Sequence, residues 1–514
     1  MSVTTFAAID VGSNELSMKI FELTDKNVIR KLNHVRHVME LGSDTYANGY
    51  ISTHMIDELC EVLKDFTMIM KDYGVTEYRA YATSSIREAG NRHFLLDRVR
   101  VRTGINVIIL SNPEQRFLML QALALNEPDF NNIIKHGAIV LESGSGSSQA
   151  TCFSNGKMIT SQNLRLGSIR INEFLKTLER SADSYFDLLK EYIAADINTT
   201  YRKHFIKYKI KTILAVGEGL NSLCKYVDYY MPGCSVLDAK QMNDMYNSLM
   251  KLSLKDLARI AETSEEQARL IRPTAMIYKQ IMDINNAEHI KFNVTDLCDG
   301  MAYEYAVSVK KLIPVRNFDG DILSAIRKIA IKYGSNSDHT SYVEKIALGI
   351  FDAFKESSGL SSRDRLLMQA AIRMHDIGTY VSFQNIEKNS AHIILSSDII
   401  GLTSRETHIV AGIVRYKVTE FPALSDMEYN VCDDDYMKIA KLTAIYRLAN
   451  SLDTSKCQKL KNVTVSNKND KLIISCDTFM DLTLELASFD ESCAFFKQIF
   501  GIVPKLKQRR IINV

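Results

Sequence analysis

The chain of 514 residues is too long for a single hydrophobic core, so three or four domains are expected. Lys and Arg number 63 against 61 Asp and Glu, and this balance excludes a surface that grips nucleic acid or an anionic membrane throughout; anions must be bound locally. Nine irregularly spaced cysteines, with no Cys-x-x-Cys pair, predict reduced thiols and exclude a disulfide frame or a cysteine zinc site.

The start, MSVTTFAAID, lacks the basic and apolar regions of a signal peptide, and no run is long enough to span a bilayer, so a soluble, cytoplasmic protein is expected. Strand and helix signals then alternate to about residue 125. FAAID predicts a buried strand, VGSN a turn and LSMKIFEL a returning strand. A helix capped by Ser52 follows over STHMIDELCEVLKDFTMIMKDYG, then a strand over YRAYAT. SSIREAGNRHFLLDRVRVRTG predicts a helix, INVIIL a strand and PEQRFLMLQALAL a helix. A second beginning follows: GAIVLE as a strand, a small-residue loop, and QATCFSNGKMI as a returning strand. AIDVGSNELSMKIFELTDK and IVLESGSGSSQATCFSNGK share a strand, an acid, a glycine-serine loop, a strand and a hairpin turn, which suggests a duplicated two-lobe fold. Composition shifts near Lys310–Asn317, and from Gly320 to about Ser455 the apolar period is helical. NVTVSNKNDKLIISC predicts a hairpin turning at Asn469-Asp470. LASFDESCAFFKQIFG predicts a last helix capped by Ser488 or Asp490, and KLKQRR a solvated basic end.

Five loops place small or hydroxylated residues after a strand: Asp10–Asn14, Ala82–Arg87, Ser111–Gln115, Glu142–Ser148 and Val216–Gly219. Glycines let backbone N–H groups converge on an anion, as helix N-termini also do. Arg87 has the fork geometry for phosphate, and Asp10 and Glu142 offer the hard oxygen ligands that hydrated magnesium takes.

AIDVGSN, YATSSIREAGN, LSNPEQRF, VLESGSGSSQ, LRLGSIRINEF and VTDLCDGMAYEYA, in this order and spacing, resemble the exopolyphosphatase and guanosine pentaphosphate phosphatase (Ppx/GppA) family. LLMQAAIRMHDIGTYVS, the segment from NSAHIILSSDII to VAGIVRY, and YRLANSLDTS resemble its HD-type domain. The resemblance implies an α/β fold of two ribonuclease-H-like lobes of the actin and sugar-kinase superfamily. The boundaries so expected are 1–125 and 126–312 for the lobes, 313–465 for an all-α HD-type domain and 466–514 for a small α+β segment. It also implies an interlobe cleft binding polyphosphate or guanosine penta- or tetraphosphate, Mg2+, removal of a terminal phosphate by water, and a homodimer. By the same resemblance, phosphate ligands fall on Asp10, Gly12, Ser13, Asn14, Arg36, Arg87, Gly144, Gly146, Ser147, Ser148, Gly167 and Arg170, with Gly217 and Gly219 in a third loop.

The catalytic positions depart from that pattern. Where the family carries paired glutamates, this chain has Glu114 and Gln115; the strand-end aspartate is Glu142; the glutamate closing the second loop is Gln149. Glutamine keeps the size of glutamate but takes no proton and neutralises no magnesium. Glu218 adds an acid beside the implied phosphate path, where it repels phosphate. Two readings therefore stand: a hydrolase using Glu114 and Glu142, or a binding protein without turnover. In the helical region His339, His375-Asp376 and Asp453 have the order of an HD-type metal site. Phe383, Glu387, Asn389 and Lys417 stand where two-metal relatives carry further histidines, so two-metal phosphodiester chemistry is not expected.

Overall fold

The computed structural model describes residues 4–24, 28–176, 185–429, 431–468 and 471–510. The chain divides into two compact units, Met1–Phe318 and Asp319–Val514. No helix among the described residues is long and apolar enough to cross a membrane.

The first unit contains two sheets. In one, β1 (Thr4–Val11), β2 (Glu15–Thr24), β3 (Val28–Val38), β4 (Glu77–Ala82) and β5 (Ile108–Ile109) lie in the order β3-β2-β1-β4-β5. The other holds β6 (Ala138–Ser143), β7 (Ser148–Ser154), β8 (Lys157–Leu164), β9 (Thr212–Val216), β10 (Val236–Asp238) and β11 (His289–Phe292). Its order from the β8 edge is β8-β7-β6-β9-β11-β10. Each sheet thus runs hairpin partner, hairpin partner, first strand and two parallel strands, and the second adds β10 at its far edge. The duplication expected from two similar beginnings is present in the topology. It extends to the loops: Gly12 N–H donates to Glu15 O and Gly144 N–H to Ser147 O, both at 3.0 Å, and each glycine follows an acid by two residues.

These strands form because their residues suit burial on both faces. Phe6, Ala7, Ala8 and Ile9 of β1, and Ala138, Ile139 and Leu141 of β6, are fully buried. Asn155 and Gly156 turn β7 into β8 with φ of 52° and 74°, the left-handed pair a tight hairpin requires. Two helices pack against each other: Asn112–Asn126 and Leu297–Ser308 cross so closely that a side chain on Gly300 would come within 2.5 Å of Leu118 O. The second also stacks Tyr305 on Phe6 of β1, ring centroids 4.3 Å apart.

Four expected elements come out differently. The helix expected over SSIREAGNRHFLLDRVRVRTG is two, Ser84–Glu88 and Arg92–Thr103. Gly90 N–H donates to Gly49 O at 2.9 Å, and the Asn91 side chain bonds Ile51 N and O at 3.1 and 2.7 Å, so tertiary bonds replace the helical ones. INVIIL contributes only Ile108 and Ile109, which pair with Tyr81 and Ala82 at the very end of β4. The last helix starts at Thr483, so Ser488 and Asp490 lie inside it and cap nothing; Asp481 Oδ1 takes Thr483 N–H at 2.7 Å instead. KLKQRR keeps Lys505 and Lys507 exposed but is a paired strand and not a loose end: Lys505–Arg510 is β14, running parallel to β13 (Lys471–Thr478), which pairs antiparallel with β12 (Lys461–Lys468). The turn expected at Asn469-Asp470 lies outside the described residues.

Between Asp319 and Ser451 the second unit is built of helices, chiefly Asp319–Lys332, Ser337–Ser358, Ser362–Met374, Ser404–Arg415 and Asp433–Ser451.

Candidate functional site

Asp10 is the last residue but one of β1 and Glu142 of β6, so the two sheets present their acids at corresponding places. Both line one narrow chamber with Ser13, Ser84, Gln115, Glu218 and Asp296. The glycine-serine loop Gly144–Ser147 forms one wall. A wider chamber adjoins it, with Arg36, Lys225 and Gln267 among its walls, and the two share Ser145 and Glu218.

Glycine is needed where the loops meet. A side chain on Gly146 would come within 1.9 Å of Tyr46 Oη and 2.2 Å of Ser84 Oγ. One on Gly167 would come within 2.2 Å of the Gly146 backbone. Gly217, at φ 116°, packs on Ser143 in a backbone shape that other residues rarely adopt. Ser13, Tyr46 and Ser84 hydroxyls form a triangle with each side 3.0 Å, and Ser85 N–H donates to Ser13 Oγ at 3.2 Å. Ser148 Oγ donates to Leu166 O at 2.5 Å. These loops are therefore fixed by their own contacts.

The electrostatics are acidic. No Lys or Arg is among the residues lining the narrow chamber. Burial first, then the charges of Asp296, Glu15 and Glu142, push the Asp10 carboxyl well above its ordinary range. Burial pushes Glu142 up to about 7, against the pull of the Gln115 hydrogen bond and of Arg116 and Arg87. Glu218 is raised by burial and by Glu15 and Asp10. Asp10 Oδ1, Glu142 Oε2 and Glu218 Oε1 are buried with no hydrogen-bond partner, although each oxygen is a strong acceptor.

Gln115 and Glu142 are brought together: Gln115 Nε2 donates to Glu142 Oε1 at 2.6 Å. Gln149 sits directly opposite Glu142 in the β6–β7 ladder, buried, with both amide atoms lacking a partner. Glu114 is turned away into a capping box, its Oε2 accepting from Ser111 N at 2.9 Å and Ser111 Oγ at 2.5 Å.

The arginines assigned to phosphate are held by protein atoms. Arg36 forks onto Glu15, Nε–Oε1 3.0 Å and Nη2–Oε2 2.5 Å. Arg87 donates to Leu110 O and Asn112 Oδ1, both at 2.6 Å. Arg170 donates to Gly146 O at 2.7 Å and Glu88 Oε1 at 2.6 Å, with its guanidinium 4.1 Å from the centre of the Tyr46 ring. Asn14 pairs amide-to-amide with Gln267, 253 positions along the chain, at 2.7 and 3.0 Å.

Asp296 has no role assigned from sequence, yet it lines the chamber, caps the Leu297–Ser308 helix and meets Lys19 Nζ at 2.7 Å. Lys19 also bonds Asp299 at 2.9 Å. Burial opposes its charge, but the two aspartates outweigh burial and hold it protonated. A lysine in mid-strand facing an Asp-x-x-Asp pair was the available signal for this trio.

In the second unit, His339 Nδ1 meets Asp453 Oδ2 at 2.8 Å, and the His339 and His375 rings lie 5.3 Å apart. His375 Nδ1 bonds Ile372 O at 2.8 Å. Asp376 accepts from Ser335 Oγ at 2.5 Å and Asn336 N at 3.0 Å, and Asp453 also accepts from Gln458. Lys417 Nζ donates to His375 O at 3.0 Å and faces Glu387 at 3.6 Å. Among the described residues no group of three or more His, Cys, Asp or Glu is arranged to hold a metal. His339, His375, Asp376 and Asp453 are thus neighbours, each histidine bonded to the protein through Nδ1.

Residues 20–308 match the Ppx/GppA phosphatase family and residues 323–489 match Ppx/GppA phosphatase, domain III. The chain belongs to the Ppx/GppA phosphatase family. It is 19% identical over 485 residues, 92% of this chain and 91% of the relative, to a guanosine-5'-triphosphate,3'-diphosphate pyrophosphatase of Aliivibrio fischeri. It is 18% identical to the protein of that name from Photobacterium profundum, over 80% of each chain. A crystal structure of an exopolyphosphatase from Cytophaga hutchinsonii shares its fold over 60% of this chain and all of that one, with a TM-score of 0.53 and 16% identity.

Proposed function

We propose that this Ppx/GppA protein binds a phosphoanhydride in the narrow chamber and hydrolyses its terminal bond with Glu142 as general base. The observation that carries this reading is the 2.6 Å hydrogen bond from Gln115 to Glu142, which aims a carboxylate into a chamber walled by the Gly144–Ser147 loop. A base is most useful when its pKa is near the working pH, and Glu142 sits at about 7. Its ionised form takes a proton from water as the water oxygen bonds the terminal phosphorus. The bond from phosphorus to the bridging oxygen breaks, and that oxygen leaves as the end of the shortened ligand. Gln115 does not take the proton; it orients the group that does.

The chamber fits magnesium chemically. The buried orphan oxygen of Asp10 is a hard donor, and Mg2+ commonly uses one or two carboxylates and keeps its other positions for water and phosphate, which leaves Glu142 free to act as the base. When bound, the ion supplies charge neutralisation to a ligand that the acidic walls otherwise repel. The substrate classes are those of the family, polyphosphate or guanosine penta- or tetraphosphate, acting in a cytoplasmic homodimer.

Binding without turnover is the second reading. It is favoured by Glu114, whose carboxylate is committed to its helix cap, and by Gln149, whose amide cannot take a proton as a base. Phosphate release with magnesium, measured on both substrates alongside binding calorimetry, separates the two. Release that vanishes in Glu142→Gln supports hydrolysis, binding alone supports the second reading, and neither one refutes the phosphate site.

A further inference from the structure

In the second unit, the short loop that follows His375-Asp376 turns its apolar side chains outward. Tyr380, Val381 and Phe383 are 68%, 64% and 85% exposed, where side chains of this kind ordinarily find cover. The loop is held in this shape. Gly378 N–H donates to Ser390 Oγ at 2.8 Å, and Val381 and Ser382 N–H donate to Gly378 O at 3.0 and 3.2 Å. A side chain on Gly378 would come within 2.3 Å of Ile386 O. Tyr380 also meets the Tyr333 ring edge-on, with centroids 5.3 Å apart.

Through Tyr333 the loop joins the end of the Asp319–Lys332 helix. Lys332 Nζ lies 5.2 Å from the centre of the Tyr333 ring. Lys328 lies one helical turn before Lys332, and Arg327 one turn before Ile331, so the four share one stretch of helix surface. All four are exposed. None of the three cations forms an ion pair among the described residues. Glu344 lines a small pocket with Arg327, but it is matched by Arg373 at 2.8 Å. Phe94 gives the contrast. It is 81% exposed, yet the arginines of its own helix are matched: Arg98 and Arg102 meet Asp57, Arg102 also meets Glu61, and Arg100 meets Asp97.

A fixed apolar tip beside unmatched cations supplies the two signals that hold a protein on an anionic bilayer, apolar side chains for the interface and charge for the headgroups. Tyrosine suits the headgroup level, where its ring meets apolar surface and its hydroxyl stays wet. Lysine and arginine reach headgroups while their stems lie along apolar surface. A second copy of the chain fits less well. A two-fold contact through this patch would bring the three cations of one copy against those of the other, with no unmatched acid between them.

We propose that the Tyr380–Phe383 loop and the basic end of the Asp319–Lys332 helix form a docking surface for an anionic lipid membrane, and that attachment there is reversible.

The test is co-sedimentation of the full chain with vesicles of phosphatidylcholine, with and without phosphatidylserine, at low and high salt. Light scattering reports the mass of the protein alone. The variants are Val381→Ser with Phe383→Ser, Lys328→Glu with Lys332→Glu, and Phe94→Ser, with thermal melts to confirm folding. Wild type is expected to sediment with the phosphatidylserine vesicles and to be released by salt. The loop pair should weaken binding by about tenfold or more, and the charge pair by roughly thirtyfold or more. Phe94→Ser should bind as wild type does. Folded wild type that stays in the supernatant, that binds both vesicle types alike, or that binds no better than either folded double variant overturns the membrane surface. A loop pair that changes only the mass of the protein also overturns it, and makes this face a contact between copies.

Discussion

Gln115 Nε2 donates a hydrogen bond to Glu142 Oε1 at 2.6 Å, so two of the three residues that depart from the family's acids act as a matched pair. Glutamate at 142 reaches one methylene further than aspartate would. The amide at 115 meets that longer acid as a donor, where a carboxylate would oppose it.

Restoring the family's acid at one position alone should therefore fail. Gln115→Glu puts a second carboxylate within hydrogen-bond distance of Glu142, and the pair can hold only one charge comfortably. The variant should melt near wild type at pH 5 and fall below it as pH rises to 8. Adding Glu142→Asp should recover part of the loss. Melts across that pH range decide it; a pH-independent difference would contradict the pairing.

Glu142 itself sets a pH dependence of stability. Its folded pKa, about 7, lies above the ordinary 4.5, so between those values the folded state binds more protons than the unfolded one. Stability is lost as pH rises through that window, by up to roughly 3 kcal/mol. Glu142→Gln should flatten the loss and be more stable than wild type at pH 8, as denaturant titrations at pH 5 and 8 would show.

Arg36 is placed as a counter-ion for Glu15. Arg36→Ala strands a buried carboxylate beside Asp10 and Glu218, at a cost of about 2 kcal/mol; its 40% exposure keeps this below the ~3–5 kcal/mol of a fully buried pair. Arg36→Ala with Glu15→Ala should regain most of that stability. If the double variant also keeps phosphate affinity within about threefold, the arginine is structural; a larger loss makes it a ligand.

His375 should make the second unit acid-sensitive. Burial first, then Lys417, lowers its pKa to about 3 from 6.5, so the unfolded chain binds the proton that the folded chain refuses. Stability present above 6.5 is lost as pH falls toward 3. His375→Asn should lose less between pH 6.5 and 4 than wild type does, a difference readable by circular dichroism.

The lobes were legible because their determinants are local. FAAID and GAIVLE read as buried strands, and the acid-glycine-serine loop repeats at the same offset, so the paired architecture could be drawn from the sequence. The partners of charged groups were not legible, because they are distant. Glu15 for Arg36 is a neighbour only across the β2–β3 pairing, Glu88 for Arg170 is 82 positions away, and Asp296 for Lys19 is 277 positions away. Residue type alone therefore did not show the carboxylates and carbonyls that these groups meet in the fold. Ser52 was found as a cap because its helix has a single start signal; Ser488 was misplaced because buried Glu485, bonded to Ser455 and Lys459, fixes an earlier turn.

The most direct test of the account is the initial rate of magnesium-dependent phosphate release from guanosine pentaphosphate between pH 5.5 and 9. For wild type it should rise along a limb centred near 7, where Glu142 ionises, and Glu142→Gln should lower the rate by about 10²–10⁴ and remove the limb. A flat wild-type profile, or a Glu142→Gln variant as fast as wild type, would contradict the assignment of Glu142 as the base.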